Sequence, residues 1–115
     1  MSSDTLFLLK GDFLDKGEGP FYCPECAQLQ GVLSFYPKLK EQLNIRYVDF
    51  PRPRPEIVQE LGEANQGCPT LVLVSANAGT LSGLNVGEHN GRKFLKGAAD
   101  IGQYLARAYQ VGAPH

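Results

Sequence analysis

Thr5-Leu6-Phe7-Leu8-Leu9 and Thr70-Leu71-Val72-Leu73-Val74 are short runs with no charged residue. A strand with one face in water alternates apolar and polar residues; a strand apolar at every position must be covered on both faces. Two such runs therefore demand a sheet sandwiched between helices. The helices are legible between them. Leu29, Val32, Leu33 and Tyr36 recur at i, i+3, i+4 and i+7, one face of a helix. Pro24 suits the first turn of that helix, and Pro37 should bend or end it. Ile45 to Phe50 reads as a second strand, and Pro51-Arg52-Pro53-Arg54-Pro55 as a stiff extended connector. Pro55 opens a helix with Ile57, Val58 and Leu61 inward, ended by Asn65-Gln66-Gly67. Ser75 to Leu84 reads as a loop. Asn90-Gly91 predicts a hairpin between Val86–His89 and Arg92–Leu95. A last helix starts near Ala98 or Ala99, with Asp100 at its positive end and Ile101, Tyr104, Leu105 and Ala108 as its buried stripe. Val111 to His115 should fray.

The predicted order is strand, helix, strand, helix, strand, strand, helix. Two strands joined through a helix run parallel, with a right-handed crossover. The expected class is α/β, a three-layer sandwich around a mixed four-stranded sheet. With 115 residues and no repeat or linker, residues 1–115 are read as one domain. A net charge of −1 with dispersed Lys and Arg leaves no footprint for nucleic acid or membrane. No apolar run approaches the roughly 20 residues of a membrane span. The first residues carry no basic group, so no secretory leader is expected and a cytoplasmic setting is. Thiols stay reduced there, and the odd count of three cysteines does not suit a disulfide framework.

Cys23-Pro24-Glu25-Cys26 falls where the loop after the first strand meets the first helix. A sulfur at a helix N-terminus meets unpaired N–H groups and the positive end of the dipole, which favours the reactive thiolate. Cys26 lies one turn further on and more shielded. Cys23 is thus expected to be the nucleophile and Cys26 the resolving thiol. Glu25 between them is expected to oppose the thiolate. The loop from Lys10 to Tyr22 is long for a strand-to-helix connection, which suggests a functional segment.

Gly67-Cys68-Pro69-Thr70 stands directly before the third strand. With that second motif and the element order, nearly the whole chain resembles the thioredoxin superfamily. It is most similar to the glutaredoxin-like branch, which has Cys-Pro-x-Cys, and within it to a group of bacterial thioredoxin-like proteins of unassigned function. The resemblance puts Cys23 and Cys26 at the family's redox pair and Pro69 at the cis-proline that faces it. It implies a thiol–disulfide oxidoreductase acting on a disulfide-containing protein or a small thiol, with Tyr22, Pro24, Cys68 and Pro69 against the substrate. The backbone of Cys68, turned outward, would pair with a substrate peptide or glutathione as an added strand. The chain departs from glutaredoxins at Ala98 and Ala99, where they carry a polar or acidic pair that holds glutathione; Asp100 comes one place late.

No organic cofactor is required, and the oligomeric state is not legible. Two other classes compete. One is a metal or iron–sulfur protein using Cys23, Cys26 and Cys68, although a closed zinc site wants four ligands and His89 is expected at a solvated strand end. The other is a non-catalytic binding module on the same fold. Cys68 is read either as a small apolar filler or as a thiol that exchanges with Cys23. Arg52 and Arg54 could hold a carboxylate or phosphate, but the expectation is that both are solvated. Asp49 is expected to be a turn residue rather than a proton acceptor, and Phe21 either packs or shields the site. Lys10 and Lys16 could steer an anionic substrate.

Overall fold

The computed structural model describes residues 3–115; Met1 and Ser2, counted in the expected domain and in the leader reading, lie outside the described residues. In chain order the elements are β1 (Thr5–Leu9), β2 (Phe13–Asp15), β3 (Glu18–Phe21), α1 (Pro24–Phe35), α2 (Leu39–Gln42) and β4 (Asn44–Val48), then α3 (Pro55–Leu61), β5 (Thr70–Leu73), α4 (Ala78–Leu81), β6 (Gly87–His89), β7 (Arg92–Lys96) and α5 (Ala98–Tyr109). A mixed five-stranded sheet has the order β4-β1-β5-β7-β6. β1 and β4 are parallel, as expected of strands joined through a helix, and the remaining pairs are antiparallel. Among the described residues no helix is long and apolar enough to cross a membrane.

The apolar runs do what their composition requires. Successive residues of a strand point to opposite faces, and the two faces bury separate clusters. Leu6, Leu8, Leu71, Leu73 and Leu95 pack with Leu29 and Leu33 of α1, Leu39 of α2, and Ile101, Tyr104 and Leu105 of α5. Phe7, Val48, Val72 and Phe94 pack on the other side with Ile57 and Leu61 of α3. The result is three layers, with α1 and α5 on one face and α3 on the other.

Several local expectations need correction. The sheet has five strands rather than four, because both arms of the Asn90-Gly91 hairpin join it: β7 pairs with β5, and β6 forms the edge. The segment Lys10–Tyr22 is not a plain loop but carries the β2–β3 hairpin. Its turn puts Lys16 and Gly17 at positive φ (55° and 77°), the same arrangement as Asn90 and Gly91 (50° and 80°). Such turns match the twist of the flanking strands. Lysine rarely adopts that region, so the first hairpin gave no signal of the Asn-Gly kind. The segment Ser75–Leu84 contains α4, opened by a capping box between Asn77 and Thr80. The helix α3 stops at Gly62 (φ 81°), before Asn65-Gln66-Gly67. Ala108 is exposed, and Tyr109 is half-buried beside the core in its place.

The C-terminal tail does not fray. Val111 packs against the core, and a Cβ at Gly102 would meet Pro114 at 2.8 Å. The tail lies over the groove between α1 and α5, where Gln28, Val32, Tyr36, Gly102 and Pro114 line a cavity of about 280 Å³. The chain's two ends are also tied. Asp4 is buried, and its carboxylate accepts from the Val74 N–H (2.8 Å), the Tyr109 hydroxyl (2.8 Å) and the Tyr104 hydroxyl (3.4 Å).

Candidate functional site

Strand direction decides where the two cysteine motifs meet. β5 runs antiparallel to β1, with Thr70 opposite Phe7, so the start of β5 lies beside the end of β1. The first turn of α1 returns over that same end, where the Leu9 N–H points at Cys26 Sγ (3.5 Å). β7 ends there too, because Lys96 pairs with Thr70 and the Gly97 N–H donates to the Pro69 carbonyl (3.2 Å). β4 is parallel to β1 and ends there as well, so α3 also starts nearby. One end of the sheet thus collects Cys23, Cys26, Cys68, Pro69 and the beginnings of α1, α3 and α5. A cavity of about 610 Å³ lined by Thr5, Asn44, Val74 and Arg92 lies toward the opposite end of β1 and plays no part in this site.

Cys23 is the N-cap of α1, with extended backbone (φ −79°, ψ 117°), and Pro24 takes the first helical position. Its sulfur replaces the oxygen usually found at such a cap and accepts the Cys26 N–H at 3.2 Å. The Cys23 carbonyl accepts from the Ala27 N–H at 2.9 Å, the first bond of the helix. Cys23 is half-buried, whereas Cys26 is only 3% exposed. Burial, followed by the hydrogen bond to Cys23, pushes the Cys26 thiol up to about 12; the Leu9 N–H pulls the other way, and the neighbouring Cys23 and Cys68 sulfurs add to the rise. Across the site the Cys68 carbonyl stands 3.9 Å from Cys23 Sγ, and the Cys68–Pro69 peptide is cis, as the resemblance implies. All three cysteines are free thiols.

Tyr22 precedes Cys23 and is 67% exposed, and Phe21 leans on Phe13 with ring centroids 6.2 Å apart. Both therefore flank the site, and Pro24 is exposed beside them. Lys10 pairs with Asp49 at 3.2 Å on the surface, so Asp49 is engaged beyond the end of β4. Lys16 occupies the hairpin turn. His89 is half-buried at the end of β6 and packs over Gly62.

Sequence reasoning missed two contacts. Glu25, expected to oppose the thiolate, turns to α5: its Oε1 accepts the Ala98 N–H at 2.8 Å. The N-cap of α5 is Gly97, which has no side chain to do this. Arg54, expected to be solvated, is only 5% exposed. Its Nε and Nη2 donate to the Phe50 carbonyl (2.9 and 2.6 Å) and its Nη1 to the Gln66 carbonyl (2.7 Å). Gln66 in turn accepts the Arg54 N–H (2.7 Å), and the guanidinium lies 5.5 Å from the Phe50 ring centroid. Phe50 stacks on Phe13 of the hairpin at 4.3 Å. Arg52, by contrast, is exposed. The alternation of Arg and Pro gave no hint that two arginines two positions apart would have opposite environments. Burial pushes the Cys68 thiol up to about 11, against the pull of the adjacent Arg54 charge.

Among the described residues no group of three or more His, Cys, Asp or Glu is arranged to hold a metal ion. The three sulfurs are near neighbours but do not form a donor set.

Fold and site together describe an α/β protein with a cysteine pair at a helix N-terminus. A family model described as "Protein of unknown function (DUF3088)" matches residues 3–113, and the chain belongs to that family. No curated protein and no solved structure matches it.

Proposed function

We propose that this protein is a thioredoxin-like thiol–disulfide oxidoreductase of a reducing compartment. The observation that carries the reading is the asymmetry of the pair: Cys23 Sγ is accessible and faces a helix N–H at 3.2 Å, while Cys26 is buried directly behind it. In the proposed reaction the Cys23 thiolate attacks one sulfur of a substrate disulfide. The S–S bond breaks, one substrate sulfur leaves and takes up a proton, and the other stays in a mixed disulfide with Cys23. Cys26 then loses its proton, attacks Cys23, and releases the second substrate thiol. The substrate gains two electrons and the Cys23–Cys26 pair loses them; a thiol reductant restores the dithiol.

The environment of Cys26 supports this order. The Cys23 hydrogen bond and the Cys23 charge both help hold the Cys26 proton. A Cys23 sulfur tied up in a mixed disulfide no longer carries that charge. Cys26 is therefore a poor nucleophile before the first step and a better one after it. The Cys68 carbonyl, 3.9 Å from Cys23 Sγ, would position a substrate backbone.

Alkylation against pH with mass mapping tests the reading. Cys23 should react first, with Cys68 and Cys26, raised to about 11 and about 12, alkylated more slowly than Cys23 below those values. Substitution Cys23→Ser should abolish reduction of a small aromatic disulfide. Faster alkylation of Cys26 or Cys68 than of Cys23, or full activity in Cys23→Ser, would overturn the assignment and leave a binding module on this fold.

A further inference from the structure

We propose that Cys68 is a second resolving thiol for Cys23, with Arg54 as its counter-charge. This rests on the reading of Cys23 as the nucleophile. A guanidinium removed from water needs an anion or a full set of acceptors. Arg54 is 5% exposed, has only backbone carbonyls as partners, and forms no ion pair with a carboxylate among the described residues. Two carbonyl oxygens do not use all the donors of its fork. Its Nη1 is bonded to the Gln66 carbonyl, two residues before Cys68, and its charge acts on the Cys68 sulfur, a group that can become an anion. A buried positive charge beside a thiol, left without a carboxylate, is a place where a transient thiolate is stabilised.

The same residue borders the redox pair. Cys68 is half-buried rather than sealed in the core, and it adjoins the apolar clusters on both faces of the sheet. Its carbonyl is 3.9 Å from Cys23 Sγ, and the Cys23 and Cys68 sulfurs are close enough for charge on one to oppose charge on the other. Cys26 receives one N–H, from Leu9, whereas Cys68 has the Arg54 charge acting on it.

The chemistry balances without an added oxidant. A mixed disulfide on Cys23 is attacked by the Cys68 sulfur, whose proton goes to solvent. The bond between Cys23 and the substrate sulfur breaks, and the substrate leaves as a thiolate that takes a proton. A Cys23–Cys68 disulfide remains. Cys26 can then displace Cys68 from Cys23, and Cys68 departs as a thiolate facing Arg54. The electrons come from the protein dithiol in either order.

The test uses the full-length Cys26→Ser protein and dithiodipyridine, which releases a coloured thione at each displacement. The first equivalent reports Cys23. A second equivalent, with a Cys23–Cys68 disulfide found by peptide mapping, is the expected result; it should vanish in Cys26→Ser/Cys68→Ser. Arg54→Gln should slow the second release relative to the first by about tenfold, the effect of one pKa unit on the thiolate fraction. Should that variant not fold, Arg54→Lys, which loses the fork, should slow it by less. A Cys26→Ser protein that stops at a stable mixed disulfide on Cys23 overturns the inference and leaves the proposed function standing. Absence of the first equivalent overturns both. A second release that neither Arg54 variant slows removes Arg54 from the account.

Discussion

Glu25 sits between the two cysteines in sequence, yet its carboxylate serves another element. By accepting the Ala98 N–H it caps α5, whose own N-cap, Gly97, has positive φ (85°) and no side chain. Each residue covers for a deficiency of the other: Gly97 makes the sharp turn, and Glu25 supplies the acceptor and the negative charge that favour a helix start. Loss of such a cap costs about 1 kcal/mol. Glu25→Ala should therefore lower the unfolding free energy measured in urea by that amount with an unchanged denaturant slope, and Glu25→Gln, which keeps an oxygen acceptor, by only a few tenths of a kcal/mol. Equal losses in the two variants would show that the carboxylate's charge, rather than its hydrogen bond, holds the helix. At the same scale, Arg54 shows how a charge enters an interior: it is taken in by backbone carbonyls that the turn before α3 and the segment before β5 leave facing it.

The β2–β3 hairpin is separate from the main sheet and leads directly into Cys23. It is docked by few side chains, chiefly the Phe13–Phe50 stack with its rings 4° from parallel. Leu14, Phe21 and Tyr22 stay 62%, 43% and 67% exposed. An element with so little buried area opens locally at lower free energy than the core. An aromatic pair contributes about 1 kcal/mol beyond its burial, so Phe13→Ala should speed hydrogen exchange of the hairpin amides about fivefold while the global urea midpoint barely moves. A matching fall in global stability would mean that the hairpin unfolds only with the rest. Phe50 is also the residue whose carbonyl receives Arg54, so this element adjoins the segment that supports Cys68.

Across the whole molecule, buried acids give stability an alkaline limit. Burial, with Asp4 alongside, raises the Tyr104 hydroxyl to about 12, and burial with the Asp4 hydrogen bond raises that of Tyr109 further still. Burial likewise raises Cys68 to about 11 and Cys26 to about 12. Each group is neutral when protonated and ionises at lower pH in the unfolded chain. The folded state thus binds more protons between about pH 9 and pH 12, and stability is full below that window and falls as pH rises through it. Urea unfolding of the reduced protein at a series of alkaline pH values should show this decline, and Tyr109→Phe should make it shallower. A flat profile up to about pH 12 would place these four groups in contact with water.

Patterns with a single physical cause were legible in the chain itself. The unbroken apolar runs that follow Thr5 and Thr70 required cover on both faces, so the three layers followed; the Asn90-Gly91 turn and the position of Cys23 before Pro24 were equally local matters. The sequence of Lys16-Gly17 carried the same turn geometry without its usual residue, and the first hairpin stayed hidden. Nothing local marked Arg54 as buried, Glu25 as the cap of α5, Asp4 as the acceptor for two tyrosines or the tail as packed. Each depends at least in part on a group between 12 and 105 positions away along the chain, which it meets only because strand directions bring them to one end of the sheet or the other. Short-range sterics and hydrophobic pattern decide the elements; which polar groups leave water together is decided by how the elements pack.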